Sequence, residues 1–226
     1  MIIDLSHTMV TGMTVYPGTP APSFTPVNTV AADGFAEQAC QFYSHVGTHV
    51  DAPAHIIPNG ATIDQLPAER FIGPACLIDL TAHSGSIIGV ADLEPFAAAL
   101  RPSEFVLLRT GWDRFWGRDE YNRDYPAPSP EAARWLASFD LKGIGIDTLS
   151  VDQPGPTDLP IHNIFLSRQI VIVENLTNLG ALPQTFIFSC LPLKIHQGDG
   201  SPVRAIGQIV SPKEKNRQKG QGTAGV

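Results

Sequence analysis

The segment His45-Val46-Gly47-Thr48-His49-Val50-Asp51-Ala52-Pro53-Ala54-His55 sets three imidazoles and a carboxylate within eleven residues, all at odd positions. In extended backbone alternate side chains share a face, so a strand here presents all four groups on one side. A helix would also bring His45 and His49 together, but Gly47, Pro53 and the β-branched Val46, Thr48 and Val50 disfavour one. A straight strand holds those two imidazoles ~13 Å apart, and two bonds of ~2.0–2.1 Å to one ion cannot span that gap. The backbone must therefore bend, and Gly47 is the residue most free to supply the unusual angles. Pro53 limits how far a regular ladder can continue. The pattern predicts a metal site on a kinked strand. No HExxH helix, Cys-x-x-Cys pair or EF-hand loop competes for the ion.

What surrounds this segment narrows the class. A chain of 226 residues, 43% hydrophobic and 16% charged, predicts one large domain over residues 1–210 with a sizeable core. A polar tail over 211–226 is expected to be disordered. The formal net charge is −7. The tail holds Lys213, Lys215, Arg217 and Lys219 against Glu214, so the rest of the chain is more acidic still. With no basic stripe interleaved with aromatics, a nucleic-acid partner is not expected. No signal-peptide pattern opens the chain, and no apolar run approaches the ~20 residues that span a bilayer. Cys40, Cys76 and Cys190 are few, odd in number and far apart, which predicts reduced thiols and a cytoplasmic protein. A nucleophilic Cys190 is conceivable, but apolar neighbours raise a thiol pKa, so packing is the expected role.

Taken in order, residues 1–5 read as a short strand. A Pro/Gly loop over 15–22 follows and offers Tyr16 as a wall for a pocket or as cover for the core edge. Residues 38–46 read as a strand leading into the central segment, and 75–80 as a buried strand. Residues 90–100 have helical spacing in Leu93, Phe96, Ala97 and Leu100. Residues 104–110 read as a strand, and the aromatic, charged stretch 112–125 as a surface excursion or lid. Ser129-Pro130-Glu131 opens a helix with an N-cap, a proline at the first helical position and an acid in the first turn. Residues 142–146 read as a strand ending at Asp147, 161–166 as a short helix, and 170–173 as an apolar run delivering Glu174. Residues 185–190, 193–196 and 203–210 are expected to close the sheet, with a turn over 198–202. The class is α/β: a single domain with a mixed β-sheet core and flanking helices.

Two histidines and an aspartate leave an ion short of ligands. Glu174 is the leading further candidate, because a carboxylate ending a buried run needs compensation. His162, presented on the short helix, is the second. Asp147 and Asp152 are rivals of the same type.

The central segment resembles the H-x-G-T-H-x-D-x-P-x-H signature of the cyclase family, which includes bacterial kynurenine formamidases and isatin hydrolases. The resemblance spans nearly the whole chain. It extends to Tyr16-Pro17-Gly18, to His162 through Glu174-Asn175-Leu176, to Cys190-Leu191-Pro192-Leu193-Lys194 and to Gly198-Asp199-Gly200-Ser201-Pro202. It implies a kynurenine formamidase-like fold in which His45, His49 and Asp51 bind a first ion. His162 would bind a second, with Asp51 and Glu174 bridging the two, and His55 would be the catalytic acid/base. The formamidase pattern has a tryptophan packing on the substrate ring where this chain has Tyr16. The ions implied are one or two Zn2+, with Mn2+ an alternative, since nitrogen and oxygen donors suit either. A homodimer is also implied.

The residues point to a metal site, and the resemblance implies a metal-dependent hydrolase of a small aryl amide, with N-formylkynurenine as the expected substrate. Water activated on the metal would attack the carbonyl carbon. Three alternatives stand beside it. One is a cyclic amide or lactone hydrolase of the isatin hydrolase type. Another is a non-catalytic metal-binding protein, and the last a cysteine-dependent hydrolase.

Overall fold

A computed structural model describes residues 1–155 and 158–209. The expected tail at 211–226 lies outside the described residues. Among the described residues thirteen strands form in chain order: β1 Ile2–Asp4, β2 Ser23–Asn28, β3 Glu37–Gln41, β4 His49–Asp51, β5 Ile72–Asp79, β6 Ile87–Ile88, β7 Phe105–Arg109, β8 Ala127–Pro128, β9 Gly143–Ile146, β10 Val171–Glu174, β11 Thr185–Ser189, β12 Gly200–Pro202 and β13 Ile206–Gln208. The helices are α1 Val30–Asp33, α2 Val90–Leu93, α3 Ala97–Leu100, α4 Pro130–Leu136 and α5 Pro160–Leu166.

Nine strands make one mixed sheet in the order β1-β13-β11-β5-β7-β9-β10-β4-β12. Its centre, β5-β7-β9-β10, is parallel. The reason lies in the sequence. These strands are continuous apolar runs such as Phe105-Val106-Leu107-Leu108, as required where both faces of a sheet are covered. Neighbouring residues feed opposite cores. Cys76, Ile78, Val106, Leu108, Ile144, Ile146 and Ile172 meet the helices α2–α5. Ala75, Leu77, Phe105, Leu107, Val171 and Val173 form the other core with Val50, Phe186 and Phe188. Because β4 and β11 stand near opposite ends of the sheet yet share that second core, the sheet is curled around it. Phe165 of α5 is fully buried. A side chain of that size contributes roughly 1.5–3 kcal/mol when buried, enough to seat the short helix that carries His162.

Several local expectations shift. The predicted helix over 90–100 is broken into α2, a 3-10 turn at Glu94–Phe96 and α3, because Pro95 removes a donor and blocks the preceding turn. Ser129 caps α4 as expected, its Oγ accepting from the Ala132 amide at 3.1 Å. The strand expected over 38–46 stops at Gln41. It pairs with β2 as a separate ribbon, and Cys40 stands in solvent. Residues 193–196 are not a strand. The turn expected at 198–202 contains β12, which pairs with β4. The 112–125 stretch is no loose excursion either: Tyr121 and Tyr125 are buried, with Trp112, Phe115 and Trp116 packed against them. No helix of the described residues is long and apolar enough to cross a membrane.

Candidate metal centre

β4 lies between β10 and β12, and register does the first work. Glu174 stands opposite His49, and Ile172 opposite Asp51. Paired and alternate residues share a face, so His49, Asp51 and Glu174 point the same way. That face is the helical one, since Ile172 belongs to the helix-side core. Helix α5 packs there and supplies His162. The bend falls at Gly47, whose φ is +62°, a conformation glycine adopts without strain. It returns His45 to the site, with Nδ1 2.7 Å from Asp51 Oδ1. Gly200 leaves room for that ring: a Cβ there would lie 2.5 Å from His45 Cε1.

Four side chains converge. His49 Nε2 is 3.3 Å from Asp51 Oδ1 and 3.5 Å from Glu174 Oε2. His162 Nε2 is 3.5 Å from Asp51 Oδ2 and 3.4 Å from Glu174 Oε1. Each carboxylate thus turns one oxygen to each imidazole. Donors bonded at ~2.1 Å around a tetrahedral ion stand ~3.4 Å apart, which is the spacing found. The outer nitrogens are already engaged. His49 Nδ1 donates to the Gly47 carbonyl at 2.9 Å and His162 Nδ1 to Asp152 Oδ2 at 2.6 Å, so both Nε2 atoms face inward. Asp51 Oδ2 is buried without a hydrogen-bond partner. This donor set fits a divalent metal ion.

The electrostatics follow from packing acids and imidazoles together. Burial alone would lower the pKa of His162, but Asp152, Asp51 and Glu174 raise it to about 10. His45 is likewise raised to about 10, burial being outweighed by Asp51 and Asp199. Burial would raise Asp51, yet His45 and His49 hold it well below the usual carboxylate range. Glu174 is pushed up by burial and by Asp51.

A second group lies nearer solvent. His45 Nε2 bonds Asp199 Oδ2 at 2.8 Å, so His45 reaches the inner set only through Asp51 Oδ1. His55 stacks on His45 with ring centroids 3.9 Å apart, and its Nδ1 is 3.6 Å from Asp199 Oδ2. Burial lowers the pKa of His55; Asp51 opposes this, and His45 and His162 add to it. Both groups open on a cavity of about 370 Å³. Tyr16, Val15, Leu149 and Leu159 form its walls, so Tyr16 stands on the pocket rather than over a core edge. Among the described residues no lysine or arginine lines it.

The two rival acids have other occupations. Asp147 accepts from the Thr110 amide and hydroxyl and from the Gly111 amide; burial still pushes it up to about 6. Asp152 accepts from the Ile161 and His162 amides as well as the His162 ring. It caps α5 and orients the imidazole in one stroke. Cys190 is fully buried and its thiol is pushed up by burial, as packing predicts. Sequence reasoning gave no role to Asp199, whose only signal was its place in the Gly198-Asp199-Gly200 turn.

A family model described as "Putative cyclase" matches residues 3–153. The kynurenine formamidase of Salinibacter ruber is 32% identical over 209 residues, covering 91% of this chain and 96% of that protein. The isatin hydrolase of Roseibium aggregatum is 31% identical over 217 residues, covering 84% and 82%. The solved structure of isatin hydrolase A from Labrenzia aggregata, bound to benzyl benzoate, matches with a TM-score of 0.83 at 26% identity, over 93% of this chain and 94% of that one.

Proposed function

Since this chain belongs to the cyclase family, we propose that it is a metal-dependent amidohydrolase, an arylformamidase that converts N-formylkynurenine to kynurenine and formate. The observation that carries the reading is the pair of carboxylates, Asp51 and Glu174, each offering one oxygen beside His49 and the other beside His162 at the base of an open cavity. In the proposed assignment His45, His49 and Asp51 hold one ion and His162 the second, with Asp51 and Glu174 shared. Zn2+ suits these donors, and Mn2+ suits them too. Bound there, the metal supplies Lewis acidity, polarising a carbonyl and lowering the pKa of water.

The chain's own residues do the rest. Tyr16 and the apolar walls hold an aryl ring flat in the cavity. Asp199 and His45 fix the His55 imidazole, which takes a proton from the attacking water and returns it to the departing aryl nitrogen. An amine leaves poorly as an anion, so that second transfer decides turnover.

Two features support the remaining assignments. The β2–β3 ribbon is largely exposed, and apolar Val27, Val30, Phe35 and Tyr43 stand in solvent on it and beside it. A two-stranded ribbon is marginal alone, which supports a homodimer in which a second copy covers it. All three cysteines are free, in keeping with a cytoplasmic protein.

Isatin-type ring opening is the second reading. A cavity with no lysine or arginine among the described residues to pair with a carboxylate receives a neutral cyclic amide as readily as an amino acid. The deciding experiment measures metal content and hydrolysis of N-formylkynurenine and isatin, with Zn2+ and with Mn2+. Formamide cleavage that a chelator abolishes and metal restores is the expected result. Turnover that survives chelation but stops on thiol alkylation would overturn the reading.

A further inference from the structure

The aromatic stretch 112–125 is joined to the metal centre by a continuous set of hydrogen bonds. Asn175 follows Glu174 in a left-handed conformation, φ +57°, which asparagine tolerates better than most residues. Every polar group it carries is used. Its amide donates to the Thr148 carbonyl at 3.0 Å, and its carbonyl accepts from Thr48 Oγ1 at 2.6 Å. Its Oδ1 accepts from the Tyr121 phenol at 2.8 Å. Its Nδ2 donates at 3.0 Å to the Gly47 carbonyl, the same oxygen that takes the His49 Nδ1 proton. The reverse amide orientation would set Oδ1 against that carbonyl, acceptor against acceptor.

Tyr121 is itself immobilised. It is fully buried and meets Trp116 edge to face at 5.0 Å, while its carbonyl accepts from Trp112 Nε1 at 3.1 Å. Trp116 stacks on His7 at 3.9 Å, and the His7 amide donates to Thr48 Oγ1 at 3.0 Å. The aromatic cluster therefore grips the ligand-bearing turn at two points, Thr48 and Asn175.

We propose that Tyr121 and Asn175 are a positioning pair: they fix the His49 imidazole relative to Glu174, so the 112–125 stretch governs how tightly the centre holds its cation. This rests on the metal-centre reading above. Neither residue is proposed to touch the ion. They act through the Gly47 carbonyl, which sets the ring angle of His49, and through the backbone that carries Glu174.

The test is divalent-metal affinity, measured by competition with a chromophoric chelator on folded protein. Partners behind a metal-binding histidine typically govern affinity about 10–100-fold. Tyr121→Phe is expected to weaken Zn2+ binding at least ~10-fold and to shift the visible bands of the Co2+-loaded protein. Asn175→Asp keeps the acceptor for the phenol but loses the donor to Gly47, and is expected to match or exceed that loss. Because the two act as one unit, the double variant is expected to bind metal no worse than Asn175→Asp alone. Ile78→Val, a core truncation, serves as the control for general destabilisation and is expected to leave affinity unchanged. Zn2+ affinity within twofold of wild type in both single variants, with thermal stability lowered as in Ile78→Val, overturns the pairing while leaving the metal centre standing. A wild-type protein that takes up no divalent ion overturns both.

Discussion

Two groups of the same residue types sit side by side in this molecule and differ chiefly in burial. The inner group, His49, Asp51, His162 and Glu174, has side chains no more than 6% exposed. The outer group, His45, His55 and Asp199, is 22%, 25% and 45% exposed. In the inner group every outward-facing imidazole nitrogen is already bonded, so the remaining donors can only face one another. In the outer group a carboxylate at the solvent edge holds one imidazole and adjoins the next. On the proposed assignment the first arrangement grips a cation, while in the second His45 joins the ion site to His55 and Asp199, which pass protons between substrate and water. Burial, more than residue identity, separates the two groups.

That division can be broken from either side. The largest effect is expected from Glu174→Gln, which removes the charge from one of the two shared carboxylates. Metal content measured after gel filtration should fall with activity towards background; two ions retained tightly would remove Glu174 from the inner group. His55→Ala is expected to keep the metal and lose ~10²–10⁴-fold in kcat, the usual share of general acid–base catalysis. Unchanged turnover would show that the outer group moves no essential proton. Asp199→Asn should cost less, about tenfold in kcat, with metal content intact and KM little altered. A loss of metal instead would show that Asp199 acts by holding His45 on the ion rather than through His55.

A further imidazole sharpens the comparison by lacking a bonded acid. His7 lies against Trp116 with Nε2 buried and without a hydrogen-bond partner. Burial lowers its pKa to about 4, with Asp113 opposing. The unfolded chain takes up this proton near pH 6.5 and the folded one only near 4. Its contribution to stability is therefore whole above pH 6.5 and is lost as pH falls from 6.5 to 4. Urea unfolding of wild type and His7→Gln at pH 7 and pH 5 should differ in their pH sensitivity by at most about 2 kcal/mol. Equal sensitivity would show that His7 is protonated in place.

Much of the centre was legible because it is local. Parity along the central segment put His49 and Asp51 on one face, and the glycine foretold the bend. The apolar run ending at Glu174 and the capped helix at 129 were readable for the same reason, since each depends on near neighbours. Other features were not. That His45 also bonds Asp199, 154 residues away, has no local signal. Asp152 looked like a rival ligand until its oxygens were seen to hold α5 and His162. The 112–125 stretch looked like surface because its charges are conspicuous, whereas its tyrosines are buried.

By itself the sequence determined the donor inventory, the kink and the alternation that feeds two cores, since these are properties of a few adjacent residues. The tertiary structure alone decided which donors meet. The β4–β10 register and the docking of α5 bring together groups more than a hundred residues apart. Only that packing sets which imidazoles lose their water and which keep it.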